Sequence, residues 1–213
     1  MAAPIIYGPQ FSTYVRTVRL TLEEKPASYE LIDVAMMQGA HKQAEFLARN
    51  PFGKVPAFTH DGLDLYETDA IIRYIDQAIP GHALQPVDAV PRARMNQIIG
   101  IIESFGYPSM ITKVVIQRVV TPMLGGKADE AVIKDGLPAA ELCLKEIERL
   151  MGGNKFLAGD KISLADLMVA PVYHYFATTP EGQKILQPRA KLRTWWDHMK
   201  TRSSLVATEP KLG

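Results

Sequence analysis

The stretch from Val55 to Glu67, VPAFTHDGLDLYE, limits this chain most. Two short apolar runs flank Asp61-Gly62, and an Asp-Gly pair in that setting is a strong hairpin signal. A hairpin brings two antiparallel strands, so any sheet in the molecule must accommodate them. The residues before it have a different character. PIIY (4–7) reads as a short strand, and residues 12–25 read as a helix with Val15, Val18 and Leu22 on one face. SYELIDV (28–34) alternates as a strand, and HKQAEFLARN (41–50) is a short helix ending before Pro51. TDAIIRYIDQA (68–78) reads as a helix with Thr68 at its N-cap. The predicted order is β-α-β-α-β-β-α, an α/β unit on a small mixed sheet.

IPGHALQPVDAVP (79–91) holds three prolines and a glycine and reads as a linker. Strand character is then lost. Residues 92–120, 128–151, 163–177 and roughly 189–202 read as helices. The expected division is an α/β domain over 1–80, a linker over 81–91 and an all-helical domain over 92–213. FGYPSM (105–110) puts Gly and Pro inside a long helix, where a kink would open a pocket. Ser163 and Asp166 form an S-x-x-D capping signature, with Ile162 able to staple onto Leu167.

With 213 residues and 47% apolar content, the chain can bury a core, and disorder is excluded. Its 24 basic and 23 acidic residues lack the basic excess of a nucleic-acid binder. One cysteine, Cys143, excludes an internal disulfide framework, fits a reducing compartment and reads as a small buried apolar residue. The histidines at 41, 60, 82, 174 and 198 lack metal-ligand spacing, so no metal is expected. There is no signal-peptide pattern and no run near the ~18 apolar residues of a membrane span. The expectation is a soluble, cytoplasmic protein with neither a membrane nor a nucleic acid as partner.

YGPQFSTYVR (7–16) carries a strand into a tight turn and a helix start. Unpaired N–H groups and the macrodipole make such a helix mouth attractive to anions. Ser12 there is either an N-cap or a donor to a bound anion. If the anion is a thiolate, the same features lower a thiol pKa from about 8.5, and no general base is needed. Val55-Pro56 suggests an edge position or a cis bond, and a cis bond would free the Val55 backbone for a peptide-like ligand. Glu67 and Thr68 form either a solvated cap or a place for an ammonium and a carboxylate. His41 and Lys42 are either exposed basic residues or a seat for a second carboxylate. Together these features suit a small zwitterionic peptide with two carboxylates, one amine and a thiol.

NPFGKVPAF (50–58), YETDAIIRYI (66–75), the Ser12–Arg16 spacing and SLADL (163–167) together resemble the cytosolic glutathione transferases. STYVRTVRLTLEEK and AHKQAEFLARNPFG are most similar to the phi class and related bacterial enzymes. The similarity runs over essentially the whole chain. It implies a thioredoxin-like N-terminal domain that binds glutathione, a helical C-terminal domain and a cis peptide before Pro56. It implies that Ser12 donates to the glutathione sulfur and that Arg16 supports its turn. His41, Lys42 and Lys54 would hold the glycine carboxylate, Val55 the cysteinyl backbone, and Glu67 and Thr68 the γ-glutamyl end. Phe52 resembles the residue that plugs a pocket on the partner subunit, so a homodimer is expected. Phi proteins usually carry Gln, Ser and Arg where Lys54, Thr68 and Asp69 stand; Asp69 either faces the γ-glutamyl ammonium or favours the helix start.

Thr13, Tyr7 and Tyr14 are the rivals of Ser12 for the sulfur. A small hydrophobic electrophile is expected on an apolar wall drawn from Phe11, Met36, Met37, Tyr107, Met110, Val114 and Tyr173. The expected activity is glutathione transfer to that electrophile. The alternatives are a glutathione-dependent peroxidase or disulfide reductase on the same scaffold, or a non-enzymatic glutathione-binding module.

Overall fold

A computed structural model of the chain describes residues 2–210. Strands β1 (Ile5–Tyr7), β2 (Glu30–Ile32), β3 (Ala57–His60) and β4 (Leu63–Tyr66) form a sheet in the order β2-β1-β3-β4. β1 and β2 run parallel, with Tyr7 opposite Ile32. β3 is antiparallel to both β1 and β4, with Ala57 opposite Tyr7 on one side and Tyr66 on the other. The hairpin turns at Asp61 and Gly62, whose φ angles of 47° and 81° are the positive pair a type I′ turn needs. Helices α1 (Thr13–Glu24), α2 (Ala44–Leu47) and α3 (Thr68–Ala78) complete the predicted order. Val15, Val18 and Leu22 of α1 and Ile71, Ile72 and Ile75 of α3 are fully buried, so the 3.6-residue period read from the sequence marks real packing faces. Two local expectations change. Residues 41–50 split into a 3₁₀ turn (Ala40–Lys42) and α2, and Thr68 is the first helical residue of α3, with Glu67 in the N-cap position but making no side-chain cap bond.

The helices that follow are α4 (Ala89–Met123), α5 (Glu130–Met151), α6 (Leu164–Ala177), α7 (Pro180–Leu186), α8 (Ala190–Met199) and α9 (Ser203–Ala207). α4 starts inside the predicted linker, because Pro91 lies in its first turn, where a missing N–H costs nothing. The predicted interruption at 105–110 is a change of winding. Ile102–Val120 is π-helical, Pro108 lies inside it, and the Thr121 N–H returns to the Ile116 carbonyl five residues back. Gly106 serves close packing, since a Cβ there would stand 2.5 Å from Ile102 Cδ1 and 3.1 Å from Cys143 Sγ. Against the expectation of no such segment, α4 is long and apolar enough by length and composition to cross a membrane, at 35 residues and a mean hydropathy of 1.2 in its most apolar stretch. Half of that stretch is buried within the protein, where α4 packs on α5 and α6.

The chain forms two compact units, and the first is discontinuous. It runs to Gln85 and resumes at Lys200, which leaves Pro86–Met199 as the helical unit. The expected helical domain therefore loses its end, α9 included. Two ionic networks close the first unit. Lys25 and Asp76, both almost fully buried, pair at 3.0 Å, and Asp76 also accepts from the Leu84 and Gln85 N–H groups. Glu24 accepts from Arg202 at 2.9 and 2.7 Å and from the Ser204 hydroxyl. Burial pushes the Glu24 carboxyl up, but the bonds from Arg202 and Ser204 outweigh it and hold the group below its ordinary 4.5. A depressed folded pKa contributes stability above the unfolded value and loses it as pH falls through the folded one. Glu24→Gln should therefore have a lower melting temperature than the parent at pH 7, and the gap should close as pH falls below about 4. Thermal denaturation across pH checks this; a gap independent of pH would refute it.

In the helical unit, the capping signature forms as read. The Ser163 N–H and hydroxyl both donate to Asp166 Oδ2, at 2.9 and 2.8 Å. Cys143 is buried in α5, where burial pushes its thiol up to about 12. That agrees with a packing role.

Candidate active site

The strand register decides which loops meet. Tyr7 at the end of β1 faces Ile32 at the end of β2, Ala57 at the start of β3 and, across that strand, Tyr66 at the end of β4. The segments beyond those residues therefore leave the same end of the sheet. They carry Ser12, His41 and Lys42, Val55, and Glu67 and Thr68. Gly8 allows the close approach this requires, because a Cβ there would lie 2.4 Å from Val15 Cγ2 and 3.1 Å from Val55 Cβ.

Ser12 is the N-cap of α1, with extended φ and ψ of −66° and 131°, and its Oγ accepts from the Val15 N–H at a long 3.4 Å. Accepting that bond leaves the hydroxyl proton available, and it is donated to none of the described residues. The cap and the donor are therefore compatible roles of one side chain. The first turn of α1 contains no acidic residue that would neutralise its positive end. Thr13 is the first helical residue and is buried. Tyr7 packs its ring among Val34, Phe46 and Ala57, with the Arg49 guanidinium 4.1 Å from its centroid. Arg16 is 2% exposed, and its guanidinium donates to the Leu205 carbonyl at 3.1 Å and to Thr208 Oγ1 at 3.4 Å. These bonds tie α1 to the chain's far end.

The Val55-Pro56 peptide is cis, and the Val55 N–H and carbonyl pair with none of the described residues. Half-exposed beside Gly8, they form an open backbone edge. Glu67 has φ 67° and ψ 115°, a conformation rarely held by a residue with a side chain. Such strain costs about 1–3 kcal/mol and concentrates at functional sites. It presents the start of α3, where neither the Thr68 N–H nor its hydroxyl has a partner among the described residues. Asp69 is engaged by Arg73, Nε to Oδ1 at 2.8 Å, an intrahelical i,i+4 pair that takes up the charge for which the sequence offered two roles. His41 is half-buried, and its Nδ1 is fully buried with no partner. Lys42 and Lys54 are exposed and Pro56 is buried.

Sequence reasoning missed Asn50. Its Nδ2 donates to the Lys54 carbonyl at 2.7 Å and its Oδ1 accepts the Phe52 N–H at 3.1 Å, clamping the turn between α2 and β3. That turn holds out Phe52, 67% exposed and edge-on to Tyr66 at 5.9 Å. The Asn-Pro pair at 50–51 was the available signal, because a turn-forming side chain there bonds its own backbone. Of the expected apolar wall, Phe11 and Met37 are exposed, and Met36 and Tyr107 are half-buried. Met110 and Val114 are 0% exposed and Tyr173 is 3% exposed, against Trp195 at 5.5 Å. All three are buried in the helical unit.

The chain matches two family models, glutathione S-transferase N-terminal domain over residues 5–77 and C-terminal domain over 130–198. It is 32% identical to glutathione S-transferase F13 of Arabidopsis thaliana over 97% of its own length and 95% of the relative's. The chain belongs to the glutathione S-transferases. The crystal structure of glutathione transferase F7 from Populus trichocarpa superposes on this transferase with a TM-score of 0.88 at 30% identity, covering 97% of each chain. Glutathione S-transferase I bound with lactoylglutathione gives 0.86 at 28% identity, over 97% of this transferase and 98% of that chain. The plant relatives of this transferase are phi-class enzymes, as its sequence motifs imply.

Proposed function

We propose that this transferase binds glutathione across the end of the sheet, ionises its thiol at the mouth of α1, and adds the thiolate to a small hydrophobic electrophile. The observation that carries the reading is the convergence of three unsatisfied polar elements: the Ser12 hydroxyl proton, the Val55 backbone and the Thr68 N–H with its hydroxyl. Each fits one part of the tripeptide. Val55 pairs with the cysteinyl backbone as a short antiparallel ladder. Thr68 holds the γ-glutamyl carboxylate at the start of α3, and Glu67 meets the ammonium. His41, Lys42 and Lys54 surround the glycine carboxylate. The sulfur then lies at Ser12, which donates a hydrogen bond to the thiolate while the α1 N-terminus favours its charge. The proton leaves to solvent, so no base is needed. Catalysis comes from this ionisation and from holding the sulfur in place.

Phe52 completes the proposal as a key into a second copy of the chain. An aromatic side chain 67% exposed on a clamped turn is what a homodimer contact needs. The exposed Phe11, next to Ser12 in sequence, and the exposed Met37 offer the electrophile apolar surface. The one cysteine of the sequence is buried in α5, which counts against a thiol-exchange mechanism.

The direct test is ultraviolet titration of the glutathione complex. Thiolate absorbance is expected with a midpoint near pH 6.5, roughly two units below a free thiol. A midpoint at or above about 8.5 would overturn the proposal.

A further inference from the structure

We infer that the C-terminal segment from Arg202 to Thr208 positions the sulfur-activating end of α1, with Arg16 and Thr208 as the positioning residues. The inference rests on the Ser12 reading above and extends it to residues about 190 positions away in sequence. α9 lies along α1, and carbonyls of its last turn accept from α1 side chains. Arg16 Nη2 donates to the Leu205 carbonyl at 3.1 Å and Arg19 Nη2 to the Ala207 carbonyl at 3.4 Å. Carbonyls of a last helical turn have no intrahelical donor, so each arginine meets a need of α9 as well as of α1. Arg16 Nε adds a bond to Thr208 Oγ1 at 3.4 Å, and Thr208 Oγ1 itself donates to the Ser204 carbonyl at 2.8 Å. At the other end, Glu24 accepts from Arg202 and Ser204. The segment therefore grips α1 at its first turn, its middle and its last residue.

The first contact matters most for chemistry. The Arg16 amide donates to the Ser12 carbonyl at 2.9 Å, closing the turn whose cap is Ser12. The Arg16 guanidinium, held on the buried Leu205 carbonyl at 3.1 Å with a longer 3.4 Å contact to Thr208 Oγ1, restrains that turn and supplements the equally long Ser12 cap bond. Without the grip, α1 is free to shift by tenths of an ångström, and the hydroxyl-to-sulfur bond is sensitive to such shifts. Loss of the grip should therefore raise the pKa of the bound thiol rather than weaken the carboxylate contacts, which lie on other loops.

The test compares Thr208→Val and Arg16→Lys with the parent. Thr208→Val keeps the shape and removes only the hydroxyl. Its pH profile of kcat/KM should move to higher pH by about half a unit, giving about threefold less activity below the parent's pKa, with KM for glutathione unchanged within about twofold. Arg16→Lys keeps the charge but loses the fork, and a larger shift in the same direction is expected. The double variant with Ser12→Ala separates the two claims. If Ser12→Ala shifts the profile and Thr208→Val adds nothing to it, the segment acts through Ser12. If Ser12→Ala shifts the profile but neither Thr208→Val nor Arg16→Lys does, the positioning inference fails while the Ser12 reading stands. If Ser12→Ala shifts nothing, the Ser12 reading itself fails. A change confined to melting temperature, with the profile unmoved, marks the segment as structural only and also overturns the inference.

Discussion

Replacing Ser12 by alanine should lower kcat/KM for conjugation about fiftyfold at pH 6.5, while KM for glutathione rises no more than about threefold. The asymmetry follows from where the tripeptide is held. In the proposed binding mode its two carboxylates and backbone contact groups beyond β2, before β3 and at the start of α3, none of which the substitution touches. Only the sulfur loses a donor. A shift of about two units in thiol pKa corresponds to a hundredfold smaller thiolate fraction below both values. The defect should therefore shrink as pH rises, and near pH 9 the variant should recover much of the parent's rate. Steady-state kinetics from pH 6 to 9 tests this, and a loss of equal size at every pH would contradict it. The substitution also removes the N-cap of α1, worth about 1 kcal/mol. Ser12→Thr keeps cap and hydroxyl together and should keep most activity. Thr13, buried as the first residue of α1, is the control: Thr13→Ala should stay within about threefold of the parent.

The features legible in the sequence were those that neighbouring residues decide. Asp61-Gly62 announced its turn because few other pairs adopt two successive positive φ angles. The faces of α1 and α3 followed from period alone. Ser163 and Asp166 cap as expected because a box spans only four residues. Ser12 was legible as a hydroxyl at a helix mouth, and its long cap bond leaves the proton free for a second role. What stayed hidden depends on distant partners. Nothing near Leu205 indicates that its carbonyl meets Arg16, and so the return of the chain to the first unit at Lys200 could not be read. Glu67 gave no sign of its positive φ, because strain at a residue with a side chain is imposed by the surrounding structure. Met110, Val114 and Tyr173 show the converse ambiguity: large apolar residues suit a pocket wall and a core equally well, and here all three are buried.

Asp166→Ala should be the most destabilising of the substitutions considered, although the residue lies outside the proposed active site. Its carboxylate is fully buried and accepts from the Leu157 N–H at 2.9 Å, Trp195 Nε1 at 2.8 Å, and the Ser163 N–H and hydroxyl. Burial pushes its carboxyl pKa up, against the pull of those donors. The bonds tie the start of α6 to α8 and to the turn at Leu157, a reach well beyond that of a local cap. Removing the acceptor strands four donors in an apolar interior, and each unsatisfied buried group costs about 1–3 kcal/mol. Some of the donors will recruit water, which puts the net loss at about 3–5 kcal/mol. At roughly 2–4 °C per kcal/mol for a chain of this size, the melting temperature should fall by about 10–15 °C. Asp166→Asn should lose less, because its carbonyl still accepts from one pair of donors, though its amide then opposes the other pair. The Trp195 indole gives a local readout, since its emission should move to longer wavelength in the alanine variant as water enters. A fall of only a degree or two would show that the four bonds merely replace equivalent ones to water, and that α6 is held by its apolar face alone.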